Sequence, residues 1–181
     1  MNWTYRLANH LALKIHSANP QHPVSLPVQR YAIETLISYT IIYIVSLGIG
    51  ALLGQALNVF IVMIGFSLLR LITGGRHFSS PTACFVSTVI AFNAIPLIAQ
   101  YIDSTTVTLA LTLASLLLCI AFAPQGKRTI VKQHQTIKLA GGAIIAMNVL
   151  VMSPVLAIAF FLQAATLIHF KKGGNSAYEK N

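Results

Sequence analysis

Residues 139–170 read LAGGAIIAMNVLVMSPVLAIAFFLQAATLIHF, from Leu139 to Phe170, and they settle how often this chain crosses a bilayer. As one helix the stretch would run about 48 Å at 1.5 Å per residue. That is well beyond a hydrocarbon core of roughly 30 Å. Pro154 falls at its middle, where it has no N–H to give and its ring crowds the carbonyl one turn back. The stretch therefore predicts a hairpin of two short helices, Leu139 to Ser153 and Pro154 to Phe170. Four further apolar segments precede it: Leu36 to Gly54, Ala56 to Thr73, Ala83 to Gln100 and Thr105 to Ala123. The expectation is an all-α, polytopic membrane protein with six transmembrane helices.

Charge placement tests that count. Arg6, Lys14 and Arg30 precede the first span, Arg70 and Arg76 flank the second junction, and Lys127, Arg128, Lys132 and Lys138 flank the fourth. Lys171, Lys172 and Lys180 follow the last span, while the junctions near Gln55, Asp103 and Ser153 carry no Lys or Arg. The positive-inside rule then puts both termini and the second and fourth junctions in the cytoplasm. Five or seven spans would put basic clusters outside. The first 35 residues hold no apolar core followed by a small-residue cleavage site, so no cleavable signal peptide is expected. Within them Trp3, Leu7, Leu11 and Ile15 recur every four positions, with Arg6, Asn9, His10 and Lys14 on other faces, as in an interfacial amphipathic helix. Pro20, Pro23 and Pro27 should break helical continuity after it. The expected divisions are an N-terminal interfacial region (1–35), a transmembrane domain (36–170) and a polar tail (171–181).

Composition narrows the chemistry. Of 181 residues, 56% are hydrophobic and 8% charged, and mean hydropathy is +0.75; an ordinary soluble domain has roughly a quarter of its residues charged. The acids are Glu34, Asp103 and Glu179 alone, too few for carboxylate pairs, two-metal sites or acidic proton relays. A net charge of +9 suits anionic lipid headgroups or an acidic peptide better than nucleic acid. Cys84 and Cys119 form no C-x-x-C pair, and no structural disulfide is expected. His10, His16 and His22 lack a partner set for a metal, so no metal or cofactor is expected. Cys119 reads as buried and inert, His134 as loop or interface, and His169 as a helix end.

One constellation remains. The second junction reads Arg70-Leu71-Ile72-Thr73-Gly74-Gly75-Arg76-His77-Phe78-Ser79-Ser80-Pro81-Thr82-Ala83-Cys84. On one continuous helix His77 and Cys84 would stand about 10.5 Å apart along the axis, too far for proton transfer. Ser80 and Pro81, however, are a favoured N-cap and first helical residue, so a new helix should begin there. Cys84 then falls in its first turn, where unpaired N–H groups and the helix dipole favour a thiolate. Gly74 and Gly75 would let the chain bend back, His77 would approach Cys84, and Arg76 would add positive potential. The result is a Cys–His nucleophilic dyad, with N–H groups near Thr82 to Cys84 as candidate oxyanion donors. No third, orienting residue is evident: Asn93 lies about 13.5 Å deeper, and Glu34 is open to pairing with Arg70 or Arg76 or to orienting His77. Arg70 is open between snorkelling at the interface and a bidentate role, binding a peptide carboxylate or packing the Gly-Gly turn. The plainer reading of His77 and Cys84 is a boundary histidine beside a buried thiol. Two other functions fit the same architecture, a non-enzymatic carrier or exporter of a peptide or small amphiphile, and a structural or lipid-binding protein.

With Arg70, Gly74-Gly75, His77 and Cys84 in an R-x3-G-G-x-H-x6-C pattern at this junction, the sequence resembles the accessory gene regulator protein B family. Arg30-Tyr31-Ala32-Ile33-Glu34 looks like the family's segment before the first span, and Ala123-Pro124 with the basic stretch Lys127 to Lys138 like its later cytoplasmic loop. The resemblance implies a bacterial membrane cysteine endopeptidase that processes a quorum-sensing propeptide. Cys84 would be the nucleophile and His77 the base and then acid, with Arg70, Gly74, Gly75, Arg76 and Ser80 shaping the site. It implies a substrate with an amphipathic leader and an acidic C-terminal tail, a thioester on Cys84, closure to a thiolactone or lactone, and self-association as a dimer.

Overall fold

The computed structural model describes residues 2–19, 23–75, 80–124 and 134–168. Among them are seven helices: α1 (Asn2–Ala18), α2 (Leu26–Leu52), α3 (Ala56–Thr73), α4 (Pro81–Ala99), α5 (Thr105–Phe122), α6 (His134–Val151) and α7 (Pro154–Ala165). Four of them, α2 to α5, are long and apolar enough to cross a membrane, and α6 and α7 are shorter apolar helices. Large side chains stand on the outside, Leu52 at 90% exposure and Leu150 at 87%. Soluble monomers rarely carry so much contiguous apolar surface; lipid covers it without cost.

Helix starts follow local chemistry. Ser80, Ser104 and Ser153 are N-caps whose hydroxyl oxygens accept from the N–H of Ala83, Val107 and Leu156, and Pro81 and Pro154 open the helices behind two of them. Pro27 acts the same way. Helical continuity is broken between α1 and α2, as expected, and Pro27 lies in the first turn of α2, after Ser25 in extended conformation. The first turn makes no use of the missing N–H, so α2 starts at Leu26, ten residues ahead of the expected Leu36.

Two apolar clusters share α3 and α7 as a common wall. One joins Ile42 of α2, Val59, Val62 and Met63 of α3, Val89, Phe92 and Ile95 of α4, and Val155 and Ala159 of α7. The other joins Leu69 of α3 and Phe160 of α7 to Cys119, Ile137 and Ile145 from α5 and α6. The hairpin between α6 and α7 turns at Met152 (φ 53°). Its backbone would stand unpaired in an apolar setting, and Asn148, 1% exposed, answers that need. The Asn148 side chain accepts from the Ser153 N–H at 3.1 Å and donates to the Ser153 carbonyl at 3.1 Å and to Thr112 Oγ1 at 3.0 Å. Thr112 lies about 10 Å along α5 from its start, so the turn is sunk below that end of the bundle, as internally satisfied backbone permits.

Helix α1 packs along the start of α2 through Thr4, Ala8 and Ala12, all buried. Leu7, Leu11 and Ile15, the periodic bulky residues, face outward. Small residues let the two backbones approach, and Arg30 locks the pair, lying over the Tyr5 ring at 4.8 Å and donating to the Tyr5 hydroxyl at 2.9 Å.

Candidate active site

The junction between α3 and α4 is built from both ends. Helix α3 stops because Gly74 takes φ 74°, ψ −151°, its N–H bonding the Arg70 carbonyl at 2.9 Å; that backbone region is essentially reserved for glycine. Gly75 follows at φ 147° in a space no side chain fits. A Cβ there would lie 2.7 Å from Thr166 Oγ1, 3.0 Å from Arg70 Nη1 and 3.3 Å from Gln163 Nε2. The glycine pair is thus required by conformation and by contact together.

On the far side, Ser80 caps α4 at φ −98°, ψ 125°. Cys84 closes the first turn, partly exposed, its N–H on the Ser80 carbonyl at 3.0 Å. Its own carbonyl accepts from Ser87 Oγ at 3.1 Å and Thr88 Oγ1 at 2.7 Å. The backbone beneath the sulfur is therefore held firmly. Of the donors expected to receive an oxyanion, Cys84 N–H is committed to Ser80, and Ala83 N–H points to Ser80 Oγ at 3.4 Å. Thr82 sits at the second helical position, where the ladder offers its N–H no acceptor, and its residue is exposed. Arg76 and His77 lie outside the described residues, as do Phe78 and Ser79.

Arg70 is in the last turn of α3. Its Nη1 donates to Gln163 Oε1 at 3.1 Å and its guanidinium carbon stands 5.9 Å from the Phe66 ring centre. From α2, Tyr39 hydrogen-bonds the Arg70 side chain and lies within electrostatic range of Cys84. One turn deeper the Tyr43 hydroxyl meets Ser67 Oγ at 2.6 Å, which sets α2 and α3 in register. Arg70, Gly74 and Gly75 are thus together, with Ser80 and Cys84 on the neighbouring helix start. Glu34, also considered for this cluster, is half-buried on α2. Cys119 is 0% exposed, in the last turn of α5. It packs with Thr73 around Gly141, where a Cβ would come within 3.0 Å of its sulfur.

Two residues of the cluster escaped the sequence reading. Gln163 is fully buried on α7. Its Nε2 donates to the Gly74 carbonyl at 2.7 Å and, at the limit, to Thr73 Oγ1 at 3.5 Å; Thr166 Oγ1 donates to its backbone carbonyl at 2.7 Å. A signal existed, because Gln163 is the one polar side chain in Pro154–Ala165, and a polar group in an otherwise apolar helix calls for a partner. Tyr39 carried no such signal among the other tyrosines of α2.

The family model described as Accessory gene regulator B matches residues 4–173 of this chain. An Accessory gene regulator protein B from Staphylococcus intermedius is 31% identical over 115 residues, which are 63% of this chain and 61% of that relative. The matched region thus spans about three-fifths of the relative's length. No solved structure matches the chain.

Proposed function

The chain belongs to the Accessory gene regulator B family, and on that premise we propose that it is a membrane cysteine endopeptidase acting on a quorum-sensing propeptide. The observation that carries the reading is the helix start at Ser80-Pro81. It places Cys84 in a first helical turn, four residues in sequence beyond the Ser80 cap of α4, which itself follows the glycine turn.

In the proposed reaction His77 takes the Cys84 proton as the sulfur attacks the scissile carbonyl. The tetrahedral oxyanion is received at the α4 N-terminus, with the Thr82 N–H as donor. The C–N bond then breaks, His77 returns the proton to the leaving amine, and the acidic tail departs, leaving a thioester on Cys84. An internal thiol or hydroxyl of the peptide next gives its proton to His77 and attacks the thioester. The ring closes as a thiolactone or lactone and the Cys84 thiol is regenerated. The tethered nucleophile outcompetes water through effective concentration.

The same reading includes six crossings with both termini cytoplasmic. Its support is the contact of Thr166, just past α7, with Gly75, just past α3, which sets the exits of these two helices at one level. The twelve basic residues are all assigned to that side. The propeptide's amphipathic leader and acidic tail match this basic inner face.

The test is reconstitution in vesicles with a candidate propeptide, followed by mass spectrometry. Wild-type protein should show a peptide adduct on Cys84, and Cys84→Ala and His77→Ala should show neither adduct nor cleavage. Cleavage at the normal rate by either variant overturns the reading. A carrier would move peptide across the vesicle with Cys84→Ser as well as with wild type.

A further inference from the structure

An amide buried in an apolar helix is costly unless both of its ends are bonded. Gln163 meets that condition in an unusual place. Its Oε1 accepts from Arg70 Nη1 at 3.1 Å, and from Thr166 Oγ1 at 3.4 Å, while its Nε2 donates to the Gly74 carbonyl at 2.7 Å. Arg70 and Gly74 lie at the exit of α3, 93 and 89 residues away in the chain. They are the near end of the four-residue segment 76–79 that contains His77, and Ser80 with its cap fixes the far end. Arg70 and the Gly74 carbonyl, the last described groups before Gly75, are thus both held from α7.

We propose that Gln163 is a positioning residue for the Cys84 chemistry: its oxygen holds Arg70, its nitrogen holds the Gly74 carbonyl, and the chain leaves α3 in one direction only. The proposal rests on the peptidase reading above. It assigns to α7, the helix with the least catalytic appearance, the task of fixing Arg70 and the exit of α3. Packing alone predicts something different, since a methionine fills the same volume without either hydrogen bond.

The experiment uses full-length protein in vesicles, with Gln163→Met, Gln163→Glu, Thr166→Val and Cys84→Ala beside wild type. Two rates are read. One is alkylation of each cysteine by iodoacetamide, located by peptide mapping. The other is cleavage of a synthetic propeptide with an amphipathic leader, an internal Cys and an acidic tail. Met and Glu should each slow Cys84 alkylation and lower kcat by about tenfold or more, with KM within about twofold, as displaced catalytic groups do. Cys119 should stay as protected as in wild type. Glu matters because it still accepts from Arg70 but cannot donate to the Gly74 carbonyl; wild-type rates in Gln163→Glu overturn the clamp.

A loosened bundle gives the opposite labelling pattern, with both cysteines reacting faster, and that result also overturns it. Thr166→Val keeps its shape at a half-buried position past α7 and removes a bond to Gln163. Should the Gln163 variants fail to fold, it carries the test, with an expected loss in kcat of about threefold, within the range of one weakened hydrogen bond; no loss overturns the proposal. Cleavage by Cys84→Ala sinks the peptidase reading itself. An inert Cys84→Ala together with wild-type rates in every Gln163 and Thr166 variant sinks the clamp alone.

Discussion

Gly75→Ala is the sharpest perturbation of the turn. Two effects add. Alanine at φ 147° is strained by about 1–3 kcal/mol. Its methyl would also stand 2.7 Å from Thr166 Oγ1 and 3.0 Å from Arg70 Nη1, and overpacking of that kind costs roughly 1–3 kcal/mol. Thr166 cannot step aside cheaply, because it is β-branched and its hydroxyl is bonded to the Gln163 carbonyl at 2.7 Å. The turn itself must yield. At about 2 kcal/mol, the low end, the ratio of native to displaced turn falls roughly thirtyfold, by the rule of tenfold per 1.4 kcal/mol. Propeptide cleavage in vesicles, followed by mass spectrometry over a time course, should slow by about the same factor. Gly48→Ala is the control, since nothing lies within 4 Å of its added methyl, and it should cleave as wild type does. Gly75→Ala with Thr166→Ala removes the contact with Thr166 but neither the contact with Arg70 nor the backbone strain, and should recover only part of the rate. A Gly75→Ala protein that cleaves within twofold of wild type, at equal amounts of folded protein, would refute the account of the turn.

Ser80→Ala removes the cap on α4, worth about 0.5–2 kcal/mol in comparable helices, and frays the turn that presents Cys84. Cleavage should fall by about threefold or more with little change in thermal midpoint, and an unaltered rate would mean that Pro81 alone sets the helix start. Asn148→Leu strips the Ser153 N–H of its partner inside the bundle, and a buried group left unpaired costs about 1–3 kcal/mol. The thermal midpoint in detergent should drop clearly, and an unchanged midpoint would show that water reaches the α6–α7 turn.

What could be read from the sequence alone is what neighbouring residues decide. Ser80-Pro81 and Ser153-Pro154 start helices because a hydroxyl oxygen takes a first-turn N–H and proline needs none. Pro154 divides residues 139–170 into α6 and α7 for the same local reason. The Gly74-Gly75 pair declared a conformation other residues resist, and the family pattern around Cys84 was legible letter by letter. Pro27 falls where α1 and α2 are separated, as its ring dictates, and sits in the first turn of α2.

The packing faces were not legible, because lipid is as apolar as leucine and burial against protein leaves no period in such a sequence. Leu7, Leu11 and Ile15 make the regular stripe on α1, yet Thr4, Ala8 and Ala12 make the contact with α2. Gln163 is the plainest case. Its being polar could be read from one helix, but its partners Arg70 and Gly74 come from α3 across the bundle. A hydrogen bond spanning ninety-odd residues is decided by how helices pack, and only the tertiary structure holds that information.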